Sequence, residues 1–325
     1  MSFKGKAFFN LLKMAHSEDP NSKVKSWQLM EYRGENIENL WMRLVKLGLT
    51  IDEKTFMAYA DTCDSPEELI DCLWLDEGQE DDYQEAYLII FEIWRRLLPK
   101  KQSLSLFGDE LDRVIFLYDK GELNDEENLQ NLLTELENIL DQCADAGTEP
   151  EEVFEMISQY CAHDIETFLY DYIIEQMDRG DETYASELLD GFYDYVSDKR
   201  WFEFLRARLF SLSDSEESDY LLLGLVEQQE EDRDLELCFE ICKFLVNKGD
   251  KTIFYKAANL LLEIIQKEED LKGFLDMLAE FHRCLDQDYF EKAVLDILSK
   301  RSRVPAESIC TEDDKKFIRE YLQDP

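Results

Sequence analysis

Leu129-Gln130-Asn131-Leu132-Leu133-Thr134-Glu135-Leu136-Glu137-Asn138-Ile139-Leu140 places six apolar residues, Leu129, Leu132, Leu133, Leu136, Ile139 and Leu140, three and four positions apart. Side chains so spaced line one side of a 3.6-residue helix, so the stretch predicts an amphipathic helix. The same spacing recurs in Leu40, Leu44 and Leu47, and again around Leu88, Ile90, Phe91, Ile93, Trp94 and Leu97. Alternating strand patterns joined by Asn-Gly or Gly-Asn turns are missing from the sequence. An all-α chain follows.

Acids, Ser, Gly and Pro cluster at the breaks between these segments, at 17–22, 76–82, 99–105, 145–150, 211–218 and 247–250. The intervening segments run about 12–18 residues, the length of helices in helical hairpins. Ser65-Pro66-Glu67-Glu68 reads as a helix start. Ser would cap the first turn, Pro suits the first helical position, and the acids favour the positive end of the helix dipole. Thr148-Glu149-Pro150-Glu151 has a similar composition.

Sliding the second half of the chain on itself by 36 residues aligns Val153, Leu189, Leu225, Leu261 and Ile297, and likewise Ile173, Leu209, Leu245, Phe281 and Phe317. Shorter columns hold Ala185, Leu221, Ala257 and Ala293, and Leu169, Leu205, Ile241 and Met277. A helix pair of this length cannot bury both faces alone, and stacked copies complete a continuous core. Three regions are expected: a helical N-terminal region over 1–101, intermediate hairpins over 102–148, and more regular repeats over 149–325.

Within the repeats, Arg179-Gly180-Asp181-Glu182-Thr183-Tyr184-Ala185, followed by Leu189 and Phe192, resembles the Gly-Asp turn and small Ala of tetratricopeptide-type repeats. Asn247-Lys248-Gly249-Asp250 before Ala257, and Asp288-Tyr289-Phe290-Glu291-Lys292-Ala293, are looser versions. No unit has that family's Trp-x-x-Leu-Gly start or closing Pro, and the period is 36 rather than 34. The resemblance implies antiparallel helical hairpins stacked as a tetratricopeptide-like α-solenoid that binds peptides or partner domains.

Charge limits what such a scaffold can meet. The 325 residues carry 75 Asp and Glu against 35 Lys and Arg, a formal net charge of −40, yet 45% of them are hydrophobic and 12% aromatic. That apolar load excludes a disordered acidic tail, and the charge repels nucleic-acid phosphate and anionic lipid. Residues 1–50 alone are basic, with eight cations against five acids. This positive end would dock on the acidic body or meet a separate partner. The segment Ala7–Ala15 is interrupted by Asn10 and Lys13, so an amphipathic first helix is expected in place of a signal peptide. Eight scattered cysteines without a Cys-x-x-Cys pair read as free thiols of a cytoplasmic protein. No apolar run reaches the roughly 20 residues that span a bilayer.

Cys238, Cys242, His282 and Cys284 are of zinc-ligand type, but Cys238 shares its 36-residue column with Phe202, Phe274 and Cys310, and His282 shares one with Ile174, Phe210, Val246 and Ile318. Core packing accounts for both, so no metal or other cofactor is expected. Neither acidic run, 76–82 or 213–219, has the Asp-x-Asp/Asn-x-Asp/Asn-Gly spacing of a calcium loop, and the second also resembles a site for acid-directed phosphorylation. No Glu precedes a His by three residues, and no His-Glu-x-x-His, phosphate-binding glycine loop or Gly-x-Ser-x-Gly occurs, so catalysis has no sequence support.

Residues 154–210 hold 13 aromatics. There Trp201, Phe204 and Arg208 form one helical face beside the core face of Phe202, Leu205 and Leu209. The first face either packs on the adjacent hairpin or meets a partner: aromatics next to Arg are what partner-binding hot spots use, and Lys199, Arg200 and Arg206 add positive charge suited to an acidic peptide end. The expectation is a non-enzymatic scaffold for protein–protein interaction, binding a peptide or protein partner in a groove of first helices through Trp201, Phe204 and Arg208. The alternative is an acidic chaperone or mimic that shields a basic client by distributed charge.

Overall fold

The computed structural model describes residues 3–74, 80–248 and 250–322. Among them the backbone is helical, with no strand beyond one antiparallel bridge between Lys267 and Ile309. No helix among the described residues is long and apolar enough to cross a membrane. The chain divides into two compact units, one holding residues 1–169 and 194–197, the other 170–193 and 198–325.

The first unit contains α1 (Ala7–Glu18), α2 (Ile37–Lys46), α3 (Glu53–Ala60), α4 (Pro66–Leu73), α5 (Glu80–Leu97), α6 (Leu104–Asp119), α7 (Glu127–Asp145) and α8 (Pro150–Ser158). Its centre is α5, where every residue from Ala86 to Trp94 is buried. A helix enclosed on all sides has lost the one-sided pattern of a surface helix, and each large apolar side chain so buried contributes roughly 1.5–3 kcal/mol. The one acid among these, Glu92, is held by Arg95 at 2.6 Å and Arg96 at 2.5 Å. Close packing also fixes Gly108 of α6, because a Cβ there would lie 2.3 Å from the Tyr160 carbonyl oxygen.

Helix starts follow the sequence unevenly. Ser65 accepts the Glu68 amide at 3.2 Å and Glu68 in turn accepts the Asp64 amide at 2.8 Å, so α4 begins as its residues predict. At α8 the N-cap is Glu149 and no side chain caps the helix, so Thr148 does not play the part of Ser65. Of the acidic run 76–82, residues 76–79 lie outside the described residues; Asp81 and Asp82 sit in the first turn of α5.

The division between units runs through α9 (Ile165–Arg179). Then come α10 (Glu182–Phe192), α11 (Lys199–Phe210), α12 (Ser215–Glu231), α13 (Leu235–Lys248), α14 (Lys251–Ile264), α15 (Glu268–Cys284), α16 (Asp288–Arg301) and the short α17 (Glu312–Lys316). Successive helices from α11 to α16 pack as neighbouring pairs, α11 with α12, α13 with α14 and α15 with α16; α12 also packs on α14, and α13 on α15.

The Gly180-Asp181 turn has a clear physical basis. Gly180 adopts φ +82°, its N–H donates to the Met177 carbonyl at 3.0 Å, and the Asp181 N–H donates to Gln176 at 2.9 Å. These two bonds satisfy the last carbonyls of α9 in the left-handed stop that glycine adopts most easily. Asp181 then accepts the Tyr184 amide and opens α10. The same device closes α15 with a residue other than glycine: Asp286 stands at φ +56°, donating to Arg283 at 3.1 Å while Gln287 donates to His282 at 2.9 Å.

Most repeat columns are core. Val153, Leu189, Leu225 and Leu261 are buried, as are Leu169, Leu205, Ile241 and Met277. The second long column runs out at its end, because Phe317 follows the short α17 and is 64% exposed.

Candidate functional site

The sequence-derived face of α11 is split by the fold. Phe204 is 1% exposed and stands edge-on to Phe244 of α13 at 6.0 Å. It is a core side chain and offers no surface to a partner. Trp201 is half-buried, its ring edge-on to Tyr170 of α9 at 5.1 Å. Phe202, Leu205 and Ala207 are buried too, so both neighbouring stripes of α11 are covered, as in a helix packed on several sides. Arg208, like Trp201, is partly exposed, with its guanidinium 3.6 Å from the exposed Asp178.

The nearby cations separate in the same way. Arg200 pairs with Asp198 at 2.7 Å and Asp232 at 2.9 Å, which together hold its pKa above the ordinary arginine value. Arg206 pairs with Asp190 and Glu203 and lies 4.3 Å over the Tyr193 ring, a cation–π contact. Lys199 stands 6.0 Å from the same ring. These three are spent within the unit.

Arg208 lines a cleft of about 280 Å³ at the C-terminal ends of α9, α11 and α13. Lys243 and Lys248 bring two further cations, while Met177, Leu212 and Phe244 supply apolar surface. Basic residues are stable at helix C-termini, where the dipole is negative. Lys243 also contacts Glu240 at 2.7 Å. What sets the cleft apart is the meeting of three cations in a chain of formal net charge −40. Sequence periodicity singled out Arg208 but missed Lys243, Lys248 and Leu212, since only tertiary packing brings these helix ends together. Their 36-residue spacing was a usable signal: Leu212 and Lys248 share a column.

The basic first 50 residues dock within their own unit. Lys6 pairs with Asp109 at 2.9 Å, Lys13 with Glu31 at 3.5 Å, Arg33 with Asp109 at 2.9 Å and Glu110 at 2.6 Å, and Lys25 with Asp81. For Asp109, burial works against ionisation, but Lys6 and then Arg33 outweigh it and bring its pKa down to about 2.

Cys238 and Cys242 are buried in α13, and burial pushes the first thiol up to about 12 and the second well above its ordinary value. Such thiols are poor ligands and nucleophiles. His282 is engaged at both ring nitrogens, by Gln287 at 2.7 Å and the Tyr321 carbonyl at 3.2 Å. Among the described residues no group of three or more His, Cys, Asp or Glu is placed to hold a metal ion. In the acidic run 213–219, Asp214 caps α12 by accepting the Glu217 amide, and Ser218 is buried with its hydroxyl donated to Ala207.

Comparison with known proteins finds no matching family model, curated protein or solved structure.

Proposed function

We propose that the chain is a non-enzymatic protein-interaction scaffold, built in its second unit as a tetratricopeptide-like α-solenoid and working in the cytoplasm. A peptide or partner segment would lie across the end of α9 and the first helices of the pairs α11–α12 and α13–α14. The observation that carries this reading is the cleft where Arg208, Lys243 and Lys248 converge beside Met177, Leu212 and Phe244. Apolar anchors beside a few cations are the composition of interface hot spots. Supporting the stacked arrangement are the buried repeat columns and the packing of α12 on α14 and α13 on α15. Arg208 is the contact residue retained from the α11 face; Trp201 would act through its packing on Tyr170, and Phe204 would support the face from beneath.

The alternative, an acidic chaperone or mimic that shields a basic client, draws on the charge of −40 and on a second groove of about 510 Å³ in the first unit, rimmed by Glu152, Glu155 and Asp164 over Phe154 and Ile165. Salt separates the two. A complex held by distributed charge weakens steeply as ionic strength rises, whereas one anchored by apolar contacts in a cleft loses little. Partner capture from native extract at low and high salt tests both. Retention at high salt, lost in Arg208→Glu, supports the cleft; release of everything at high salt rejects it.

A further inference from the structure

A cavity of about 210 Å³ lies within the first unit, among α1, residues 31–33, α6 and the turn at His163. Its buried carboxylates are already committed. Asp109 accepts from Lys6 and Arg33, each at 2.9 Å, and from Asn10 at 3.1 Å. Asp112 accepts the backbone N–H groups of Ala162 and His163, the His163 ring Nδ1 at 3.0 Å and Asn10 at 3.0 Å. Both nearby guanidiniums, Arg33 and Arg113, are held by Glu110.

Lys13 is different. Its side chain is 25% exposed, and its one ion-pair partner among the described residues is the exposed Glu31, 3.5 Å away. Burial first, and the neighbouring Lys6 second, lower its pKa. A partly buried ammonium whose ion-pair partner is an exposed carboxylate at 3.5 Å keeps donors free and gains from a second anion that reaches it. Met14 and Phe116 line the same cavity and present apolar surface.

We propose that this cavity binds a small organic monocarboxylic acid, its carboxylate on Lys13 Nζ and its hydrocarbon body against Met14 and Phe116. One under-paired cation matches one negative charge. A dianion such as phosphate would bring its second charge towards Asp109, Asp112 and Glu31. The volume is below the roughly 300–1,000 Å³ of sites for drug-sized ligands, so the acid is small. This site is independent of the α11 cleft and of the scaffold reading.

Calorimetric titration of the full chain with benzoate at about pH 7 tests it. Benzyl alcohol supplies the ring without charge, and inorganic phosphate supplies charge without the ring. The expected result is one benzoate per chain, bound at least about tenfold tighter than either control. Lys13→Gln is expected to abolish the preference for benzoate over benzyl alcohol, and Phe116→Asp, at a partly exposed wall position, to weaken benzoate. The proposal is overturned if benzoate binds no tighter than benzyl alcohol, if phosphate equals it, or if both variants retain wild-type affinity.

Discussion

At the scale of single residues, the strongest consequence rests on Asp109, which is 5% exposed and tied to Lys6, Arg33 and Asn10. Its folded pKa of about 2 lies below the ordinary value of 3.8. As pH falls the unfolded chain binds this proton first, so the contribution is full above about pH 5 and disappears as pH falls through 3.8 towards 2. The shift corresponds to about 2 kcal/mol. Asp109→Asn is expected to lower stability at neutral pH and to remove this part of the acid dependence, read from urea midpoints between about pH 6 and pH 2.5. An identical pH dependence in wild type and variant would contradict it. This network was not legible in the sequence, whereas the packing of Phe204 against a neighbouring hairpin was one of two readings open there. The basic character of the first 50 residues was visible, but which acids receive it depends on α6 lying beside α1. For Phe204 and Trp201 the choice stayed open because periodicity identifies faces without showing how many neighbours cover them.

At the scale of elements, turn chemistry was the most legible part of the chain. Gly180 and Asp181 end one helix and open the next for reasons local to those two residues, so the sequence showed the turn directly. Ser65 likewise capped where expected, whereas Thr148 did not, because the cap position fell on Glu149. Asp286 was missed as a helix stop, since only its backbone angle reveals that it stands where glycine usually does. The left-handed conformation costs a residue with a Cβ about 1–2 kcal/mol, and glycine gives back part of that through greater freedom in the unfolded chain. Asp286→Gly is therefore expected to stabilise the second unit by roughly 0.5 kcal/mol, seen as a higher thermal midpoint. A lower midpoint would show that the Asp286 side chain contributes something the turn geometry does not account for.

At the scale of the whole molecule, the charge of −40 sits on a chain whose cations are largely paired internally, including Arg43, Arg96, Arg301 and Lys256. The excess acids repel one another, and salt screens that repulsion over about 10 Å at 0.1 M. Raising sodium chloride from about 20 mM to about 500 mM is expected to raise the thermal midpoint. A fall would mean that the internal ion pairs outweigh the repulsion. The all-α class was readable from apolar spacing because each helix repeats the same local pattern many times. The division within α9 was not, since α9 is one uninterrupted helix in sequence and changes unit only through its packing.

Site-specific photo-crosslinking discriminates whether a partner is held in the cleft at the ends of α9, α11 and α13. A photoreactive side chain replaces Leu212, which lines the cleft with Arg208, or Tyr220 on α12, which is 72% exposed outside it. Irradiation in native extract is expected to give a discrete adduct from position 212, absent when Arg208→Glu is added, and none from position 220. Adducts from position 220 alone, or adducts from 212 that survive Arg208→Glu unchanged, would contradict the assignment.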